Sequence, residues 1–415
     1  MWKMDVIPCL KVPQRHAQLY RKVHETSKKY LLSQGVLDRK YCAQKHSDET
    51  VTLPVLAAFL AQLDLVALKE HVAQDSFCEI VDIQAPPLSK KDKVKSFHKR
   101  LAETAQSLLV SKGETWSEDL ERDIPSQWQC HGDLVLFSEG CFTNEIWKEI
   151  GSEFWTAVAL TLGVKRLAQI KKISHDGYRT PIVTMLLGDS SYVTHIDNHI
   201  RYEFDVTKCM FSSGNITEKL RIASFDCIGE TVVDLYAGIG YFTLPYLVHA
   251  KAAYVHACEW NPDAVKALQR NLQINSVSDR CTIHQGDNRQ LSLSDLADRV
   301  NLGLIPSSEE GWPVACRLLK RGTGGILHIH HNVTTPLHHK PPEHSSAIDV
   351  NKGSSNQRDM QVWTAWASDT AGRICTLLLD ITGNEWKTNI KHIEHVKTYA
   401  PHISHVVLDL ECKPL

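Results

Sequence analysis

From Ile216 onward, short apolar runs alternate with segments in which apolar residues return every three or four positions. Read by period, this predicts strands over 231–235, 253–259, 281–285, 299–305 and 325–331, with helices over 241–249, 262–275 and 312–319 among them. A helix over 362–379 and strands over 390–396 and 406–410 bring the set to seven strands. Strands and helices in alternation pack as a mostly parallel sheet covered on both faces, so this part is expected to be α/β and Rossmann-like.

Upstream the pattern is different. Short strands over 134–137, 182–187 and 201–206, with one helix over 153–167, predict an α+β arrangement. Helical spacing over 94–110 ends at Gly113, which can supply a left-handed cap. The first eighty or so residues mix a helical pattern over 53–72 with a short strand over 77–81 and carry no legible chemistry. The turn- and charge-rich stretch 84–91 reads as a linker, and 333–360, with Pro-Pro and Gly-Ser-Ser, reads as a mobile insertion. The expected organisation is an N-terminal region over 1–92, an α+β middle domain over 93–215 and an α/β domain over 216–415.

A length of 415 residues suits two or three domains, and 43% hydrophobic with 23% charged residues suits a globular chain. The first residues lack the apolar core of a signal peptide and no stretch has the length of a membrane span, which implies a cytoplasmic or nuclear protein without membrane contact, and the cytoplasm is the expected location. The 12 cysteines form no Cys-x-x-Cys pair, which argues against a zinc ribbon and a disulfide framework. His328, His330 and His331, with His338, His339 and His344 in a Pro/Ser-rich loop, lack ligand spacing on rigid elements, so no metal site is expected. The net charge of −2 announces no global attraction to nucleic acid. Two local basic patches stand out: Lys90, Lys91, Lys93 and Lys95 with Lys99 and Arg100, and Lys165 and Arg166 with Lys171 and Lys172.

The chemistry concentrates at three predicted strand ends. The first ends in Asp234-Leu-Tyr-Ala-Gly238-Ile-Gly240, where glycines let the backbone approach a ligand and the following helix offers free amides. The next ends at Glu259, about twenty residues on, where a carboxylate can accept both hydroxyls of an adenosine ribose. The third ends in Gly286-Asp287-Asn288, a carboxylate and an amide suited to an adenine edge. A dinucleotide site would carry a third glycine, which Ala-Gly-Ile-Gly-Tyr-Phe-Thr lacks. The pattern therefore favours an adenosyl group without a diphosphate, as in S-adenosylmethionine.

These runs, with Cys258-Glu-Trp-Asn-Pro-Asp and Gly286-Asp-Asn-Arg, resemble the archaeal and eukaryotic group that contains the tRNA guanine-37 N1-methyltransferases and the wybutosine-synthesis aminocarboxypropyltransferase. The lead-in from Tyr202 to Arg221 is similar to that group's approach to its catalytic domain. The resemblance implies a seven-stranded S-adenosylmethionine-dependent fold in which Ser212 and Lys219 hold the cofactor's methionine end, Glu259 the ribose, and Asp287 and Asn288 the adenine. It also implies phenylalanine tRNA as partner, gripped by the middle domain and the two basic patches; a monomer with no role on DNA is expected. Arg179, in Gly-Tyr-Arg-Thr-Pro, is the candidate for contact with the base or a phosphate, and Tyr241 or Phe242 for stacking.

Two departures separate the chain from the methylating branch. It has Phe211-Ser-Ser-Gly214 where that branch has Phe-Ser-Pro-Arg, and Leu304-Ile-Pro306 where that branch has Asn-Leu-Pro. Leucine can neither hold a guanine edge nor help remove its proton. The run Gly303 to Trp312 is similar to the aminocarboxypropyl branch, which implies transfer of the 3-amino-3-carboxypropyl group to C7 of 4-demethylwyosine. Guanine-37 N1-methylation and RNA binding without turnover are the rival expectations. No general base is assigned, because the leaving thioether is neutral.

Overall fold

The computed structural model describes residues 6–17, 20, 37–38, 40–72, 76–84, 86–174, 176–211, 213–336 and 354–415. Two compact units divide the chain: Met1–Trp128 with Gly140–Val164, and Gln129–Glu139 with Lys165–Leu415. Residues 93–215, expected as a middle domain, are thus shared between the two.

In the first unit, strands β1 (Val6–Pro13), β2 (Gln44–Lys45), β3 (Thr50–Pro54) and β4 (Glu79–Gln84) form an antiparallel sheet ordered β2-β3-β1-β4. Leu10, Val12, Val51, Leu53 and Val55 from it pack with Tyr20 and Leu68 in one core. The helix expected over 53–72 is corrected here: every residue of β3 is buried, and only Leu65–Val72 forms an α-helix, α1. A strand buried on both faces shows no alternation, so its apolar run imitates a helix. The 84–91 stretch is tied down, with Cys42 N donating to the Pro87 carbonyl and Ser89 N to the Lys40 carbonyl, each at 2.7 Å. It runs directly into helix α2 (Lys90–Ser111), which ends where Gly113, at φ 85°, donates to the Val110 carbonyl. After α3 (Glu118–Asp123), the Asp123 carboxylate gathers the amides of Thr143 and Asn144 and the Trp147 indole N–H at 2.7–2.9 Å. That anchor leads into α4 (Ile146–Ile150) and α5 (Ser152–Leu162).

The helix expected over 153–167 is also shorter than its pattern. Gly163 adopts φ 70° and caps α5, and the chain re-enters as a strand in the second unit. There β5 (Gln129–His131), β6 (Leu134–Ser138), β7 (Arg166–Ile173) and β8 (Pro181–Leu187) form a sheet in that order, beside a hairpin of β9 (Tyr192–Asp197) and β10 (Ile200–Asp205). Arg166, Lys171 and Lys172 lie on β7, not on a helix face as the longer helix implied.

Helix α6 (Ile216–Ala223) opens the α/β part. Then follow β11 (Thr231–Asp234), α7 (Thr243–Val248), β12 (Tyr254–Glu259), α8 (Pro262–Ile274), β13 (Cys281–Gln285), β14 (Arg299–Leu302), α9 (Trp312–Leu318), β15 (Gly325–Thr334), α10 (Ser354–Thr382), β16 (Trp386–Ala400) and β17 (Ile403–Pro414). Among the described residues the sheet has seven strands, ordered β13-β12-β11-β14-β15-β17-β16. The first five run parallel, and β17 is antiparallel to both β15 and β16. Pleating sends Val232 into one core with Leu244, Leu247 and Leu268, and Val233 into another with Val314, Ala315 and Ile374. Both faces are therefore covered, and truncating a wholly buried residue such as Leu327 to alanine costs about 2–5 kcal/mol.

The insertion expected over 333–360 is narrower at both ends. Val333 and Thr334 complete β15, Ser354 begins α10, and 337–353 lie outside the described residues. Among the described residues no helix is long and apolar enough to cross a membrane.

Candidate functional site

Strand β11 has β12 on one side and β14 on the other, so the connections leave it in opposite directions and open a crevice at the carboxyl ends of the strands. Asp234, the last residue of β11, is fully buried, accepting from the Asn301 amide at 3.0 Å and the Thr243 hydroxyl at 2.8 Å. Burial raises its pKa, and those two donors oppose the shift. The bonds fasten the glycine turn between β11 and α7. Gly238 has φ 56°, and a methyl group there would overlap the Tyr241 ring, so the turn demands glycine.

Glu259 is held from both sides. One carboxylate oxygen accepts from the Gly238 amide and the other from the Asn261 amide, both at 2.8 Å. Burial lifts its pKa above that of an ordinary carboxyl, while the amides of Asn261, Gly238 and Trp260 pull it down. Each oxygen keeps lone-pair capacity for a further donor. At the end of β13, Gly286 N donates to the Glu259 carbonyl at 3.0 Å, which brings the third strand end alongside the second. Asp287 is engaged by Arg289, whose guanidinium lies 2.6 Å away and holds the carboxyl below its usual pKa. The Asn288 amide donates to the Leu235 carbonyl at 2.7 Å, which orients its side chain against the first strand end.

Gly238, Glu259, Asp287 and Asn288 line one cavity of about 930 Å³. Arg179, Tyr241 and Phe242 line the same cavity, as do Gly303, Leu304 and Ile305. Phe242 is buried and the Tyr241 hydroxyl is engaged by the Met210 carbonyl, whereas Tyr178, Trp260 and Tyr399 on the wall are exposed. Tyr178 and Trp260 meet edge to face at 6.0 Å. Lys219 is not brought to the cavity. Its ammonium is buried, 2.9 Å from Asp197 and 4.4 Å from the centre of the Phe211 ring. Burial lowers its pKa and Asp197 opposes the fall. Ser212 lies outside the described residues, as do the side chains of Lys90, Lys91, Lys93 and Lys95.

Trp260, Tyr178, Lys397 and Tyr399 also line the cavity and were not singled out from sequence. For Trp260 a signal was present, since a tryptophan directly after a strand-end carboxylate has little reason to be buried. For Lys397 and Tyr399 there was none, because β16 reaches the cavity only through its pairing with β17. Of the histidine tract, His328 bonds Asp409 at 2.7 Å and His330 bonds His405 at 3.1 Å, all buried, while His338, His339 and His344 lie outside the described residues. Among the described residues no group of three or more His, Cys, Asp or Glu is placed to hold a metal ion.

Known proteins share this fold. Residues 193–350 match the TRM5/TYW2 methyltransferase domain, and residues 10–92 and 108–191 match two TYW2 N-terminal domain families. A tRNA wybutosine-synthesizing protein 2 homolog of Danio rerio is 81% identical over 99% of this chain and 100% of its own length. The Homo sapiens homolog is 50% identical over 93% of this chain and 92% of its own length. Among solved structures, P. horikoshii TYW2 in complex with MeSAdo is 27% identical, covers 76% of this chain and 99% of its own, and superposes with a TM-score of 0.53. The M. jannaschii tRNA m1G37 methyltransferase shares the fold at 19% identity and a TM-score of 0.53, over 98% of this chain and 100% of its own. The α/β part is thus the Rossmann-like fold of S-adenosylmethionine-dependent methyltransferases. With a near full-length relative so similar and both TYW2 N-terminal families present, the chain belongs to the tRNA wybutosine-synthesizing protein 2 family.

Proposed function

We propose that the protein transfers the 3-amino-3-carboxypropyl group of S-adenosylmethionine to C7 of 4-demethylwyosine at position 37 of phenylalanine tRNA. The observation that carries this reading is the convergence of Gly238, Glu259, Asp287 and Asn288 on one cavity that Gly303, Leu304 and Ile305 also line. The donor set fits an adenosyl group: Glu259 has acceptor capacity for both ribose hydroxyls, and Asp287 can share a carboxylate lone pair with the adenine amino group. When bound, the sulfonium supplies the electrophile: the C7–γ-carbon bond forms as the γ-carbon–sulfur bond breaks, its electron pair leaves on methylthioadenosine, and the C7 proton is released.

The chain's own residues bind, orient and exclude water. Leu304 and Ile305 give the base an apolar surface with no group able to act on a guanine N1 proton, which favours carbon alkylation over N1-methylation. Trp260 and Tyr178 offer exposed faces on which an extruded base can stack, and Arg179, at φ 58° beside them, carries a cation for the base edge or its phosphate. Lys219, locked to Asp197 and set against the Phe211 ring, supports Phe211 of the cavity lining. Exposed Lys171 and Lys172 lead toward Ile173 of the wall and suit phosphate contacts that weaken with salt. We assign the protein to the cytoplasm, as a monomer.

The test supplies undermodified phenylalanine tRNA with cofactor labelled either at the methyl or at the carboxyl group. Carboxyl label alone is expected in the RNA. Methyl label alone would replace this reading with guanine N1-methylation, and neither label with RNA binding without turnover.

A further inference from the structure

Gly214, Asn215 and Lys397 of β16 all line the cavity, and Gly214 lies against Lys397. A methyl group built on Gly214 would overlap the Lys397 ammonium, so the missing side chain makes the room in which that charge sits. Among the described residues no carboxylate pairs with it, and burial presses its pKa below that of a free lysine. Two nearby cations differ: Arg289 is paired with Asp287 and Glu310, and Lys219 with Asp197. Asn215, which follows Gly214 in the chain and lines the same cavity, has its side-chain oxygen buried with no hydrogen-bond partner. A half-buried cation and an orphaned acceptor are each costly alone, and together they describe a complement.

We infer that Lys397 and Asn215 form a subsite for a free α-amino acid group, the carboxylate meeting Lys397 and the α-ammonium meeting Asn215. This rests on the transfer reaction proposed above, in which the cosubstrate bears that group. An RNA phosphate would satisfy the lysine but bring no donor for the asparagine oxygen, so the pair favours the zwitterion. With the adenosyl end at Glu259 and Asp287 and the amino acid end at Lys397, the cosubstrate is fixed at two points. The carbon chain between them, rather than the methyl group, is then the part held in line for attack.

The experiment compares S-adenosylmethionine with methylthioadenosine, which lacks the aminocarboxypropyl group, by calorimetry on the full chain. Lys397→Met and Asn215→Ala are each expected to weaken S-adenosylmethionine on the order of tenfold to a hundredfold and to leave methylthioadenosine unchanged. Lys397→Arg should retain most of the affinity. Gly214→Ala, which displaces the ammonium without removing it, should give a smaller loss for S-adenosylmethionine alone. Equal losses for both ligands would reduce Lys397 and Asn215 to structural roles and overturn the inference. No loss for either ligand, or a loss confined to tRNA affinity, would overturn it as well. If the variants discriminate between the two ligands while the labelling experiment shows no carboxyl transfer, the subsite stands and the reaction reading falls.

Discussion

Glu259 joins three elements through one carboxylate: it ends β12, takes the Gly238 amide of the glycine turn and orients the Asn261 amide at the start of α8. Replacing it with alanine removes the proposed ribose acceptor and strips two backbone amides of their partner. Glu259→Ala is expected to weaken S-adenosylmethionine by roughly 1–3 kcal/mol, measured by calorimetry, and an unchanged affinity would remove Glu259 from the site. The residue was legible because a strand's period shows where its carboxyl end falls, and an acid at that end has a function to suggest. Lys219 shows the converse. Its place in Thr-Glu-Lys-Leu-Arg looks exposed, yet the fold buries it against Asp197, on a hairpin whose approach no local pattern reveals.

At the scale of elements, α6 is fastened to the sheet by charge. Arg221 lies 2.7 Å from Glu218 and 2.5 Å from Asp409 of β17, and Asp409 also accepts from His328 of β15 at 2.7 Å. Burial pushes the Asp409 pKa up, but His328 and Arg221 outweigh it and leave the carboxyl well below its usual range. Asp409→Asn leaves a buried guanidinium short of its counter-charge and is expected to cost about 3–5 kcal/mol, read from urea denaturation. A loss under about 1 kcal/mol would show that the Arg221–Asp409 pair is not what holds α6 to the sheet. The elements least faithful to their pattern were 53–72 and 153–167. In the first, strand β3 is buried on both faces; in the second, Gly163 ends the helix while apolar residues continue into β7.

Across the molecule, the second unit buries an unusual set of imidazoles. Burial, with His195 adding to it, lowers His131 to about 4; burial, with Lys397 and His395, lowers His405 to about 4; His328 and His330 are lowered chiefly by burial. Of these, His131 and His405 stay neutral in the folded protein down to about pH 4 but take up protons when unfolded, near the ordinary value of about 6.5. Their stability contribution is therefore complete above that value and is lost as pH falls toward 4, by about 1.4 kcal/mol per pH unit for each proton. The urea midpoint is expected to fall between pH 7 and pH 5, and a flat profile would show that these histidines are protonated in the folded state. What the sequence determined by itself is local: the alternation of periods sets the α/β class, and the residues at strand ends, Gly238, Glu259, Asp287 and Asn288, follow from where each strand stops. Which side chains share the cavity was decided by the tertiary structure. Lys397 arrives there only because β17 runs antiparallel between β15 and β16, and Lys219 is turned away only because the β9–β10 hairpin supplies Asp197. Both outcomes depend on contacts between segments far apart in the chain, which hydrophobic periodicity cannot report.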